Sequence, residues 1–325
     1  LLLRRQGYDC AGATLSLCGN DTDGARAVCE GLGMPFYVFD ERARFAREVM
    51  DRFVTEYCAG RTPNPCIDCN RCLKFGAFLD RALDMGFDYI ATGHYARVEH
   101  DAARGSCRLL RGRSLAKDQS YVLYQLTQFQ LSHLLLPVGG FEKPDIRAQA
   151  EQAGLANARQ ADSQDICFIP DGDYVRFLQD YGGAALQPGN FVDRTGCVLG
   201  RHRGLACYTA GQRKGLGVSA DRPLYVISKN AEDHTILLGD NDELFSSALL
   251  ASRVNWIAGA PAGAVRCTAK TRYSQKECGA VVTPLPDGGA HVALLTPQRA
   301  VTAGQAVVFY DGDEVLGGGT IERAL

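Results

Sequence analysis

Across residues 8–92 short apolar runs alternate with helical stretches, and this alternation limits the fold more than any other feature of the chain. Tyr8 to Leu15 reads as a buried strand and is followed by a helix over about Thr22 to Gly31. Met34 to Phe39 is a second strand, Ala43 to Tyr57 has helical periodicity, Leu73 to Met85 is a third helix, and Asp88 to Thr92 is a third strand. Strands separated by helices predict a parallel, doubly wound α/β sheet, because parallel neighbours need a crossover connection. Ligands of such sheets bind beyond the carboxyl ends of the strands. Gly93-His94-Tyr95 falls at that edge. A glycine there admits a ligand close to the backbone, and a histidine can donate or accept hydrogen bonds. A turn glycine and a structural histidine fit the spacing equally well. Sheets of this kind usually open with a strand and a glycine-rich phosphate loop. Residues 1–7 instead read as the end of a helix, and no such loop occurs in the 325 residues, so the expectation is a chain that lacks its opening strand and loop.

Chemistry enters with the cysteines. Pro63-Asn64-Pro65-Cys66-Ile67-Asp68-Cys69-Asn70-Arg71-Cys72 presents three thiols behind two prolines, and Cys167 stands in Asp162-Ser163-Gln164-Asp165-Ile166-Cys167-Phe168. Rigidly presented thiols serve sulfur transfer, redox exchange or metal binding. The total of 13 cysteines is odd, so they cannot all pair within the chain. No apolar run reaches the roughly 18 residues of a membrane span, and Leu1-Leu2-Leu3-Arg4-Arg5 has the wrong order for a signal peptide. Reduced thiols in the cytoplasm are therefore expected. A net charge of −2 excludes little, because nucleic-acid binding needs only a local basic face.

Beyond Cys167 the texture changes. Gln187 to about Leu238 is rich in glycine and turns, with Arg201, His202, Arg203, Arg213 and Lys214 around Tyr208, a mixture suited to RNA phosphates and bases. Scattered surface charge is the plainer alternative. From about Ala251 short strands alternate with turns: Val265 to Lys270, Ala290 to Leu295 and Ala306 to Tyr310 predict a small antiparallel β-barrel. The expected division is a nucleotide-binding catalytic domain over 1–165, a central domain over 166–240 and a barrel over 241–325.

Several strings together resemble the tRNA-specific 2-thiouridylase family. They are Ala59 to Asn70 followed by Lys74-Phe75, Ala91 to Ala96, Lys117 to Tyr121, Asp162 to Ile169, Tyr208 to Gly217, and Pro297 to Tyr310, in one order along essentially the whole chain. The resemblance implies a PP-loop type α/β domain and ATP-dependent replacement of O2 by sulfur on the wobble uridine of tRNA, with Mg²⁺ accompanying the ATP. It further implies adenylation of the uridine oxygen, then displacement by a persulfide sulfur supplied by a cysteine desulfurase or a sulfur-relay protein. On motif match Cys69 is the nucleophile and Cys167 the persulfide carrier. Leu15 and Gly93 fall at ATP-contacting positions. Asn64, Pro65, Cys66, His94, Lys117, Asp118, Gln119, Arg272, Tyr273 and Gln305 fall at tRNA-contacting positions, with Asn64 to Cys66 meeting the target base. A flipped uridine needs such a rigid wall.

One departure opens a second chemistry. Many members carry aspartate where this chain has Cys66, so proton transfer falls to Cys66 itself or to water. Alternatively Cys66, Cys69 and Cys167 supply three thiolates to a [4Fe–4S] cluster whose open iron holds sulfide. Two rivals from other classes remain at this level: a non-catalytic RNA-binding protein stapled by zinc, and a small-molecule synthetase of the same α/β type. Zinc gives no reason for the Asp-Ser-Gln setting of Cys167, and a synthetase needs no basic platform or barrel.

Overall fold

The computed structural model describes residues 1–19, 22–155, 158, 166–183 and 186–325. The chain divides into two compact units. The first comprises Leu1–Val49, Cys66–Pro170 and Asp313–Val315; the second comprises Met50–Pro65, Asp171–Gly312 and Leu316–Leu325.

The first unit holds the α/β layer. A short helix, Leu2–Arg5, precedes strand β1, Gly12–Ser16, which runs parallel to β2, Phe36–Asp40, with Gly12 opposite Phe36 and Ser16 opposite Asp40. The helix Asp23–Gly31 makes the crossover, as the alternation requires. Strand β3, Ile90–Ala91, pairs in parallel with a short strand formed by Leu134–Leu135. Between them lies a hairpin that the sequence reading did not contain: β4, Ala96–Asp101, and β5, Ser106–Arg111, pair antiparallel. Its turn is held by Asp101, whose carboxylate accepts from the backbone N–H groups of Ala103 and Arg104, and by Gly105 at φ +61°. Leu134–Leu135 is then β6. Phe45, Leu73, Phe75, Leu79, Leu109, Tyr121, Leu123 and Tyr124 are sealed from solvent and form the core under these elements.

Tyr121 to Leu131 does not form one continuous helix. Ser120–Leu123 is a 3-10 turn, and a separate helix, Gln128–Ser132, starts at Thr127. The reason is local. Thr127 and Gln130 make a reciprocal capping box, which satisfies the free N–H groups of a new helix start and so ends what precedes it.

In the second unit β7, Gly189–Val192, β8, Val198–His202, β9, Tyr225–Asn230, and β10, Thr235–Gly239, form a sheet in the order β8-β7-β10-β9. Phe191, Tyr208, Val226, Ile236 and Leu238 fill its core. The remaining strands are β11, Phe245–Trp256; β12, Val265–Lys270; β13, Cys278–Pro284; β14, Ala290–Arg299; β15, Ala306–Asp311; and β16, Glu314–Ala324. They follow the order β11-β14-β13-β12-β15-β16, and β16 pairs back to β11, closing a six-stranded antiparallel barrel. Closure leaves no strand edge open between these neighbours. Leu249, Val282, Val292, Val307, Phe309 and Ile321 point inward and are fully buried. No helix among the described residues is long and apolar enough to cross a membrane.

Candidate active site

The thiols are presented by one helical segment. Pro65 opens the helix Pro65–Cys69, where its missing N–H costs nothing, and so sets the direction of Cys66 and Cys69. The next stretch, Asn70–Ala77, is π-helical. In an α-helix a residue five positions on lies well round the cylinder, but i to i+5 bonding returns Lys74 towards the face of Cys69. Asn70 fixes this segment from beneath. It is 3% exposed and its amide nitrogen donates to Val122 O at 3.1 Å. Its Oδ1 is buried and accepts no hydrogen bond from the described residues.

The electrostatics of the cluster follow from burial around one cation. Burial pushes the Cys69 thiol up to about 12; the Lys74 ammonium opposes this, and Cys167, Cys66 and Cys18 reinforce it. Cys66 reaches the surface, yet protein surrounds most of its sulfur, so its thiol is also raised chiefly by desolvation, again opposed by Lys74. Cys167 follows the same pattern, with Cys18 the next contributor after burial. Cys18 lies just beyond the carboxyl end of β1, and its Sγ donates to Cys167 O at 3.9 Å. Four thiols and Lys74 therefore occupy one neighbourhood at the edge where an α/β sheet binds ligands. Cys69 and Cys167 were singled out from sequence and are brought together. Cys18 and the charge role of Lys74 were not, and no spacing pattern links Cys18 to a residue 149 positions away. Asp162 to Asp165, quoted above with Cys167, lie outside the described residues.

His94 borders the same cluster. It is 8% exposed, its Nδ1 is 2.8 Å from Thr92 Oγ1, and its ring stands 5.6 Å from that of Phe75. Burial, helped by Lys74, drops its pKa to about 3, so the imidazole is neutral near pH 7 and serves as a hydrogen-bonding group, not a cation. Gly93 is exposed, and nothing lies within 4 Å of where a side chain would begin. Leu15 sits half-buried in β1.

Lys117, Asp118 and Gln119 are tied to this edge. Gln119 Oε1 accepts from Tyr95 N at 2.9 Å while Gln119 N donates to Tyr95 O at 2.9 Å. Asp118 is 9% exposed; Oδ1 accepts from Gly112 N (3.0 Å) and Ser120 N (3.1 Å), and Oδ2 from Ser120 Oγ (2.8 Å). Gly112 must be glycine, since a Cβ there would come within 2.6 Å of Tyr95 O. Asp118 and Gln119 thus build the turn that carries the half-buried Lys117.

Arg272, Tyr273 and Gln305 gather in the second unit around a pocket of about 240 Å³, lined also by Thr62, Thr209, Ser274 and Thr302. Arg272 Nη2 donates to Ala300 O (2.8 Å) and Thr302 Oγ1 (2.5 Å). Tyr273 is 43% exposed. Gln305 Nε2 donates to Thr62 O at 2.7 Å, and Thr62 N donates to Ala303 O, anchoring the segment that leads to half-buried Asn64 and buried Pro65. Among the described residues no group of three or more His, Cys, Asp or Glu side chains is placed to hold a metal ion.

Two parallel strand pairs with crossover helices and reactive side chains beyond the carboxyl end of β1 define a nucleotide-type α/β domain, here joined to a small sheet domain and a barrel. Residues 2–171 match a family model described as a tRNA methyl transferase HUP domain, 175–240 one described as a tRNA methyl transferase PRC-barrel domain, and 246–321 one described as an aminomethyltransferase β-barrel domain. Among curated proteins the chain is similar to the tRNA-specific 2-thiouridylase MnmA of Heliobacterium modesticaldum, 49% identical over 342 residues that cover 100% of this chain and 89% of the relative. The proteins of the same name from Acetivibrio thermocellus and Moorella thermoacetica are each 46% identical, covering 99% of this chain and 94% of the relative. The chain belongs to the tRNA-specific 2-thiouridylase family.

Proposed function

We propose that this protein is an ATP-dependent sulfurtransferase that replaces O2 of the wobble uridine of tRNA by sulfur. The observation that carries this reading is the gathering of Cys66, Cys69 and Cys167 within the field of Lys74. Thiolation, the activity in the relatives' name, makes use of these thiols; methyl transfer, the activity in two of the domain descriptions, gives them no task.

In the proposed sequence Leu15 and Gly93 border the ATP, with Mg²⁺, that adenylates the uridine oxygen and makes it a leaving group. Asn64, Pro65 and Cys66 wall the flipped base, and His94, as a neutral hydrogen-bonding group, orients it. Cys167 carries a persulfide received from a cysteine desulfurase or relay protein. A persulfide is more acidic than its parent thiol, so a site that keeps thiols protonated still offers an ionised terminal sulfur, which Lys74 steadies. That sulfur attacks C2, and the adenylate departs with the oxygen. Cys69 then attacks Cys167 Sγ: the Cys69–Cys167 disulfide forms, the bond to the transferred sulfur breaks, and the thiolated base leaves. A dithiol reductant resets the pair. Cys66, in contact with the surface, passes the displaced proton to water. Lys117, carried on the Asp118–Gln119 turn, neutralises a tRNA phosphate, as does the Arg272 neighbourhood with Tyr273 and Gln305. Residues 1–165 together with Cys167 are assigned the chemistry, and the remainder of 166–240 with 241–325 the holding of tRNA, in the cytoplasm.

Cys69→Ser and Cys167→Ser test the reading. Each should abolish thiolation in an assay with tRNA, ATP and a persulfide donor while tRNA affinity stays within about twofold, since neither removes a phosphate contact. Loss of binding in both would make these cysteines structural. The same assay on iron-free protein separates the relay from the cluster: activity should persist, and restoration only by iron and sulfide would favour the cluster.

A further inference from the structure

Cys18 is a thiol to which the mechanism above gives no task. It follows β1 at the carboxyl edge of the sheet, is half-buried, and its Sγ donates to the carbonyl oxygen of Cys167 at 3.9 Å. The Cys18 and Cys167 side chains also share a hydrogen bond. Cys69, by contrast, is 8% exposed, and burial keeps its thiolate scarce. We infer that Cys18 is a second resolving thiol, which discharges the Cys167 persulfide when no tRNA is bound. This inference rests on the persulfide role of Cys167 proposed above.

The step balances without an added oxidant. Cys18 thiolate attacks Cys167 Sγ, forming a Cys18–Cys167 disulfide. The bond from Cys167 Sγ to the terminal sulfur breaks, and its electron pair leaves with that sulfur as hydrosulfide. The sulfane sulfur is reduced to sulfide while the two cysteine sulfurs are oxidised to the disulfide. The proton lost by Cys18 goes to solvent, and a dithiol reductant reopens the bond. The consequence is protective: an unused persulfide is converted to a disulfide that a reductant can reopen, and Cys167 is kept from over-oxidation. When tRNA is present, attack on the activated base competes with this discharge.

The full chain, loaded with inorganic polysulfide and freed of excess reagent, tests the inference in the absence of tRNA. Mass spectrometry of alkylated peptides should find a Cys18–Cys167 disulfide growing as hydrosulfide appears, in wild type and in Cys69→Ser alike. Cys18→Ser and Cys18→Ala should hold the Cys167 persulfide at least about tenfold longer. Cys66 and Cys69 then remain to resolve it, and burial raises both thiols, so the attacking thiolate is scarce. Equal persulfide lifetimes in wild type and both Cys18 variants, or a disulfide joining Cys69 to Cys167 with Cys18 alkylated, would overturn the inference and leave the persulfide reading standing. Absence of persulfide at Cys167 in every variant would overturn both.

Discussion

Replacing Asp118 by alanine separates a turn-building carboxylate from an RNA-contacting one. Its two oxygens accept from Gly112 N, Ser120 N and Ser120 Oγ, and all three donors are buried, with Ser120 at 0% exposure. Alanine leaves two backbone N–H groups without an acceptor, each costing about 1–3 kcal/mol, while the hydroxyl can turn to another partner at smaller cost. The expected loss is about 3–5 kcal/mol from the stability of the first unit. Asparagine keeps one oxygen for both N–H groups and should cost only about 1 kcal/mol, because the Ser120 hydroxyl can accept from the new amide. Urea unfolding followed by far-ultraviolet dichroism measures the loss. The single tryptophan, Trp256, lies in the barrel, so its emission reports on the second unit. Hydrogen exchange at the amides of Gly112 and Ser120 should accelerate in Asp118→Ala. If Asp118→Ala keeps full stability and exchange protection yet loses tRNA affinity, the carboxylate serves RNA directly and the structural argument fails.

Acid should weaken the first unit through His94. Its folded pKa is depressed to about 3 from 6.5, so its contribution is whole above pH 6.5 and is lost as pH falls towards 3, reaching about 4 kcal/mol. His94→Gln lacks this term, so parallel stability–pH curves for the two proteins would sink the assignment. Gly93→Val should fold normally, because nothing lies within 4 Å of the added Cβ, and should lose at least about tenfold in ATP affinity by steric exclusion. Unchanged affinity in equilibrium binding would remove Gly93 from the nucleotide site.

How far the sequence could be followed differs between its parts. Val265–Lys270 in the barrel coincides with its expected strand because alternating side chains bounded by turns leave a closed barrel few other registers. The crossover helix Asp23–Gly31 and β2 were equally plain from periodicity. The hairpin of β4 and β5 was not, since Arg97, Glu99, His100 and Asp101 make β4 too polar to signal a strand. The π-helical stretch is invisible to a 3.6-residue period, and with it the placement of Lys74 near the thiols. Cys66, Cys69 and Cys167 stood out by their local setting, but their roles and their joining at one site came through resemblance, because only the folded chain joins segments so far apart. Asp118 and Gln119 were matched to RNA contact; the hydrogen bonds their side chains also make within the protein depend on partners that no motif records.

The central claim is sulfur transfer to tRNA. It is tested most directly by mass spectrometry of tRNA nucleosides from cells in which this gene is deleted, compared with the same cells carrying it on a plasmid. The account predicts that 2-thiouridine derivatives at the wobble position disappear on deletion, return with the wild-type gene, and do not return with Cys167→Ser. Unchanged 2-thiouridine in the deleted strain would contradict it.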